Sequence, residues 1–133
     1  MPGLDTNVLV RWLVDDDTRQ SALVLTLFQS ARARGERLFV PTTVVLELEW
    51  VLRSRYEFDK STVLLTFNAL LETEELDFQS EQALELALHL FRQGNAEFAD
   101  CLHAGECGSA DRSPMLSFDA KAARLPGVHL LGT

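Results

Sequence analysis

Met1-Pro2-Gly3-Leu4-Asp5-Thr6-Asn7-Val8-Leu9-Val10 opens the chain, and its reading decides the fold class. A short apolar run ends on an aspartate, and a helix-like run, Val8 to Val14, begins almost at once. In an α/β protein, ligands gather at the carboxyl ends of strands, where the strand-to-helix loops open. An acid at that point is either a helix N-cap or the first ligand of a site. This stretch alone leaves both open.

Outward from it, the same alternation repeats. A helix is expected from Thr18 to Ala33 or Arg34, with a broad apolar stripe (Leu23, Leu27, Val24, Phe28) and Gly35 as its stop. Arg37 to Val40 reads as a buried strand stopped by Pro41. Thr42 or Thr43 can cap a helix to about Arg55, Asp59 one to Glu72, Ser80 one to Phe91, and Asn95 one to about Glu106. Gly3–Asp5, Leu76–Phe78, Pro114–Phe118 and Val128–Leu131 supply the remaining short strands, and Asp119 starts a short helix. Strands alternating with helices predict an α/β fold, a three-layer α/β/α sandwich around a short parallel sheet.

With 133 residues the chain suits one domain, residues 1–133, with a real core. Hydrophobic residues make up 47%, which excludes disorder. The formal net charge of −8 argues against holding nucleic acid by non-specific counterion release. It does not argue against an enzyme on a phosphodiester, because metal-binding carboxylates contribute to that count. No stretch suits a membrane span, and no basic-then-apolar leader pattern is visible, so a cytoplasmic protein is expected. Cys101 and Cys107 share one expected helix, separated by roughly 9 Å of helical rise, too far for a disulfide. With His89 and His103 they make no zinc spacing. Neither a GxGxxG nor a Walker A phosphate loop is present.

Four carboxylates stand out. Glu47 and Glu49 lie in an otherwise apolar helix. Glu49 has Arg53 at i+4, the favourable orientation for a helical ion pair, and needs no other reason. Glu47 has Thr43, Val44, Trp50 and Val51 as its helical neighbours and no cation, a costly setting unless a metal or a distant arginine compensates it. Glu97 and Asp100 sit three apart near a helix start. The helix dipole accounts for Glu97, while the like-charged face they share gains from a cation. Asp119 follows the strand Met115–Phe118 and, like Asp5, falls at a strand end, where an N-cap is the plainer reading. Hard oxygen donors in this number suit Mg²⁺ or Mn²⁺. One or two such ions activate water and stabilise the leaving oxygen of a phosphodiester. No Ser, Cys or His nucleophile constellation competes with that reading.

Asp5-Thr6-Asn7, Glu47 in Leu46–Leu52, Asp100 in Phe98–Ala104, and Ser117-Phe118-Asp119 together resemble the PIN-domain ribonucleases. More narrowly, they look like VapC-type toxins of type II toxin–antitoxin systems, in order along essentially the whole chain. The resemblance implies that Asp5, Glu47, Asp100 and Asp119 hold Mg²⁺ or Mn²⁺, with Thr6 and Asn7 bracing the first loop. It places Ser117 in support of the site and Glu97 at a position that is often acidic. The implied activity is endonucleolytic cleavage of cellular RNA, such as tRNA or rRNA. The implied partners are a VapB-type antitoxin and a second copy in a homodimer, with promoter DNA bound only through the antitoxin. Arg11, four residues past Asn7, is the expected contact for substrate phosphate or antitoxin. Further arginines and Lys60 cluster at helix ends, and Lys121 lies nearer the acids.

Two other classes compete. A receiver-like signalling module also gathers acids at strand ends, but it needs a paired acid after its first strand, and Asp5 stands alone there. A catalytically silent PIN-like binding module would keep the fold without the chemistry.

Overall fold

Three of the helices begin where an aspartate side chain meets the start of the helix and caps it. The computed structural model describes residues 1–132, and the chain forms two compact units, Met1–Gln79 and the chain from Ser80 onward.

In the first unit, α1 spans Thr6–Leu13 and starts directly after Asp5, its N-cap (φ −81°, ψ 162°). The expected start at Val8 is two residues late. Asp5 Oδ1 itself accepts the Thr6 N–H at 2.8 Å and turns the chain into the helix. The same early turn shortens the expected first strand to a single parallel bridge, Gly3 with Phe39. Leu4 N–H donates to Phe39 O and Phe39 N–H to Pro2 O, each at 2.8 Å, and the ladder stops there.

The helix α2, Thr18–Arg34, is capped by Asp17, whose Oδ1 accepts the Gln20 N–H at 3.0 Å. It ends at Gly35 with φ 64°, the left-handed conformation glycine adopts without a Cβ penalty. Trp12 stacks on Phe28 with centroids 3.9 Å apart, which ties α1 to α2. Strand β1, Leu38–Val40, then leads through Pro41 into α3, Thr42–Arg55. Pro41, not Thr42 or Thr43, is the N-cap. The Thr42 N–H that it leaves is taken by Gln79 Oε1 at 3.0 Å. Asp59 caps α4, Lys60–Leu71, through the Thr62 N–H at 2.8 Å, as expected. Strand β2, Leu76–Phe78, pairs parallel with β1 in the register Leu38–Leu76, Phe39–Asp77, Val40–Phe78. Leu9, Leu48, Leu52, Phe67 and Leu76 fill the core between these elements.

Within that core sits one acid, Glu49, 4% exposed. Arg53 Nε donates to its Oε2 at 2.9 Å, the i+4 pair anticipated from the sequence. Arg53→Ala is therefore expected to strand a buried carboxylate and lower unfolding stability by about 1–3 kcal/mol. Urea denaturation checks this through the midpoint.

In the second unit, α5 spans Glu81–Gln93 and α6 spans Phe98–Ser109. The expected cap Asn95 is displaced. Glu97 is the N-cap, and the helix starts at Phe98, whose buried ring meets Phe91 edge-on at 5.6 Å. Buried Ala83, Ala87 and Gly105 bring the two helix backbones close together. Strands β3, Met115–Ser117, and β4, Val128–Leu130, pair parallel in the register Met115–Val128, Leu116–His129, Ser117–Leu130. Between them the expected helix after Asp119 is a single 3₁₀ turn, Ala122–Arg124. Asp119 Oδ1 accepts the Lys121 N–H at 2.9 Å, an Asx turn that competes with a regular helical start.

The α/β class and the parallel pairing are thus those expected. The strands form two two-stranded sheets, one in each unit, where a single sheet was expected. Among the described residues no helix is long and apolar enough to cross a membrane.

Candidate active site

The first unit brings Asp5 and Glu47 together through Thr6. Asp5 uses one carboxylate oxygen as the cap of α1, and the Thr6 hydroxyl donates to Glu47 Oε1. Thr6 is only 3% exposed, so burial of its own side chain holds this bridge in place. Cap and ligand are compatible roles for Asp5, since one oxygen of each acid stays outside those two bonds. Asn7 is exposed on the first turn of α1.

The apolar setting expected around Glu47 is not found. Its side chain is exposed, on the same outward stripe of α3 as Thr43 and Trp50. The buried acid of this helix is Glu49. Apolar neighbours in sequence therefore did not report burial, because Trp50 itself faces outward. The case for Glu47 rests instead on its bridge to Thr6 beside Asp5.

Arg11 is also placed differently from the expectation of a contact to substrate or antitoxin. Its guanidinium donates to Gln20 Oε1 at 2.6 Å, to Asp16 Oδ1 at 3.0 Å and to Tyr56 Oη at 3.4 Å. The Tyr56 hydroxyl in turn donates to Asp16 Oδ2 at 2.7 Å. That hydrogen bond, aided by Arg11, holds the Asp16 carboxyl below the usual range. Arg11 braces α1 against the chain around it, with Nε and Nη1 committed to these three acceptors. Tyr56, which closes the clamp, carries no sequence pattern that foretells it.

The second unit brings Asp100, Asp119 and Glu97 within electrostatic reach of one another. Burial raises the Asp100 carboxyl above its usual range, and repulsion from Asp119 and then Glu97 adds to the rise. His103 and Lys121 pull it back down. Asp119 is oriented by its neighbours: its N–H donates to Ser117 Oγ at 3.0 Å, and its Oδ1 takes the Lys121 N–H. Glu97 is exposed and its side chain makes no cap hydrogen bond. A carboxylate perturbed by burial and like charge marks a functional candidate.

The donors are all carboxylate oxygens, the set that hard divalent cations take, and a cation would relieve the repulsion at Asp100. Among the described residues, no group of three or more His, Cys, Asp or Glu side chains is arranged to hold an ion. The donor chemistry of a Mg²⁺ or Mn²⁺ centre is present, without an assembled coordination shell. Thr6→Val tests the first unit's part. It is expected to lower any nuclease activity roughly 10- to 100-fold, the size of effect seen when a group orienting a ligand is lost. Circular dichroism of the purified variant should match the parent.

The PIN domain family matches residues 4–128, which include every acid named above. A VapC ribonuclease of Aquifex aeolicus (strain VF5) is 24% identical over 125 residues, covering 94% of this chain and 92% of that protein. Receiver-like signalling finds no support in this match. The chain belongs to the PIN domain family.

Proposed function

We infer that the protein is a divalent-metal-dependent endoribonuclease acting as a toxin, with Asp5, Glu47, Asp100 and Asp119 as its metal ligands. The observation that carries this reading is the match of the PIN domain family to residues 4–128, a span that contains all four acids. Its similarity to a VapC ribonuclease supports RNA as the substrate class and a VapB-type antitoxin as the partner. Bound Mg²⁺ or Mn²⁺ would supply an activated water and stabilise the charge on the leaving oxygen.

The chain's own residues do the positioning. The Thr6 hydroxyl fixes the rotamer of Glu47, and the α1 cap fixes that of Asp5. Ser117 and the Lys121 N–H hold Asp119 from two sides. Thr6, Ser117 and Lys121 are thus positioning residues, and Glu97 contributes field without an anchored side chain. An acidic protein holds RNA weakly by charge alone, which leaves recognition to particular contacts. A homodimer, promoter binding through the antitoxin and a cytoplasmic setting complete the reading.

Induction in a bacterial host tests it. Growth arrest with new RNA 5′ ends at discrete sites is expected, and Asp5→Asn should abolish both. Normal growth with no new ends, or full activity in the Asp5→Asn variant, contradicts the reading.

A further inference from the structure

Exposed aromatic rings are costly in water, and here they follow the candidate acids. Trp50 is 55% exposed on α3, one turn past Glu47 on the same stripe. Phe118 is 82% exposed and immediately precedes Asp119. Each unit therefore presents one outward ring within three residues of a candidate ligand. The other Phe, Trp and Tyr side chains are buried or half-buried. Among the large exposed aliphatics, Leu116 also lies within three residues of a candidate ligand, whereas Leu23, Leu25 and Leu65 have no acid that near.

We propose that Trp50 and Phe118 are base-stacking residues that hold unpaired nucleobases of single-stranded RNA beside the acids of their own units. This rests on the ribonuclease reading and adds to it the groups that grip the substrate. The physical need is clear. A chain of net charge −8 gains little from the phosphate backbone, so affinity has to come from a term that does not depend on charge. Stacking on an aromatic face is such a term, and it tolerates any base because every base has a π-face.

The surroundings of Phe118 fit a nucleotide. On β3, Leu116 is exposed two residues before Phe118, and the exposed His129 on β4 is the register partner of Leu116. Parallel sheets are ordinarily covered on both faces, so this side is built to receive something. Lys121, exposed two residues beyond Asp119, supplies a cation for a phosphate next to the stacked base. A phosphate at Asp119 has its neighbouring base within reach of the Phe118 ring, because the two α-carbons are about 3.8 Å apart. A second copy of this chain is the rival occupant of the same face. A ring beside a candidate ligand in each of the two units favours RNA.

The test uses the full chain carrying Asp100→Asn, titrated in Mg²⁺ with a short unstructured fluorescein-labelled RNA. Phe118→Ala and Trp50→Ala should each weaken binding, by roughly 5- to 150-fold. Phe118→Leu should weaken it as much as Phe118→Ala, while Phe118→Tyr and Trp50→Phe retain it. RNA should also quench tryptophan fluorescence in the parent and fail to do so in Trp50→Phe. Both residues are exposed, so folding is preserved and circular dichroism confirms it. Undiminished RNA affinity in the alanine variants overturns the stacking role and leaves the ribonuclease reading intact. Undiminished affinity together with dimer dissociation on sedimentation assigns the face to a second copy and overturns it equally. No RNA bound by the Asp100→Asn parent overturns both readings.

Discussion

In the Asp100→Asn chain, RNA cleavage is expected to fall by at least roughly 100-fold while the fold becomes no less stable. The two effects have one cause. Asp100 sits where burial and the charges of Asp119 and Glu97 disfavour its ionised form. An amide of the same shape removes that penalty together with the donor oxygen a cation needs. The pH dependence of stability follows from linkage. With its pKa raised in the folded state, Asp100 binds more protons folded than unfolded between its ordinary carboxylate pKa and the raised one. Stability contributed by this group is therefore greatest below that window and falls as pH rises through it. Asp100→Asn should flatten that slope in a metal-free buffer, and Mg²⁺ should raise the midpoint of the parent more than that of the variant. Thermal melts across mildly acidic to neutral pH check this directly. Equal cleavage by both chains would remove Asp100 from the site.

A second effect on stability lies about one and a half turns further along the same helix. Gly105→Ala would set a Cβ 2.4 Å from the Ala83 carbonyl oxygen, and 3.3 Å from both Ala83 C and Ala87 N. All three are backbone atoms of α5, so no side chain can swing aside, and the two helices have to separate. Overpacking of this kind costs about 1–3 kcal/mol or more, against a gain near 1 kcal/mol from replacing glycine in a helix. Because the 2.4 Å clash is with backbone, the cost sits at the upper end of that range and the net loss is about 2 kcal/mol, a large part of a typical domain's stability. Gly108→Ala is the control. Its Cβ would meet Leu86 Cδ2 at 3.1 Å, the end of a flexible side chain that can yield. That substitution should be near neutral in the same denaturation experiment. Because α6 carries Asp100, Gly105→Ala should also reduce cleavage in the fraction that remains folded.

Much of this architecture was legible in the sequence, and the departures have physical causes. Asp17, Asp59 and Gly35 bound their helices through local hydrogen bonds and a left-handed turn, which depend on few residues. The first strand was misread in length because Asp5 acts as a cap as soon as Leu4 ends. The start of α6 was misread because packing of Phe98 on Phe91 outweighed the capping preference of Asn95. The acids themselves were visible as residue types at strand ends and helix starts. Their environments were not, because facing is decided by tertiary packing. Glu47 points outward and Glu49 inward, although both sit among apolar letters. Arg11 looked available for substrate until Gln20, Asp16 and Tyr56 were seen to share its donors. The exposed rings of Trp50 and Phe118 were equally hidden, since an aromatic in a helix or strand reads as core.

Hydrolysis of RNA by water at a carboxylate-held divalent metal would be recorded in the end chemistry of the products. Purified chain incubated with single-stranded RNA in Mg²⁺ should yield fragments with 5′-phosphate and 3′-hydroxyl ends, because water attacks phosphorus and the RNA 2′-hydroxyl takes no part. Chelation with EDTA should stop the reaction, and Mn²⁺ should restore it. Fragments ending in 2′,3′-cyclic phosphate, or undiminished cleavage in excess EDTA, would contradict the account.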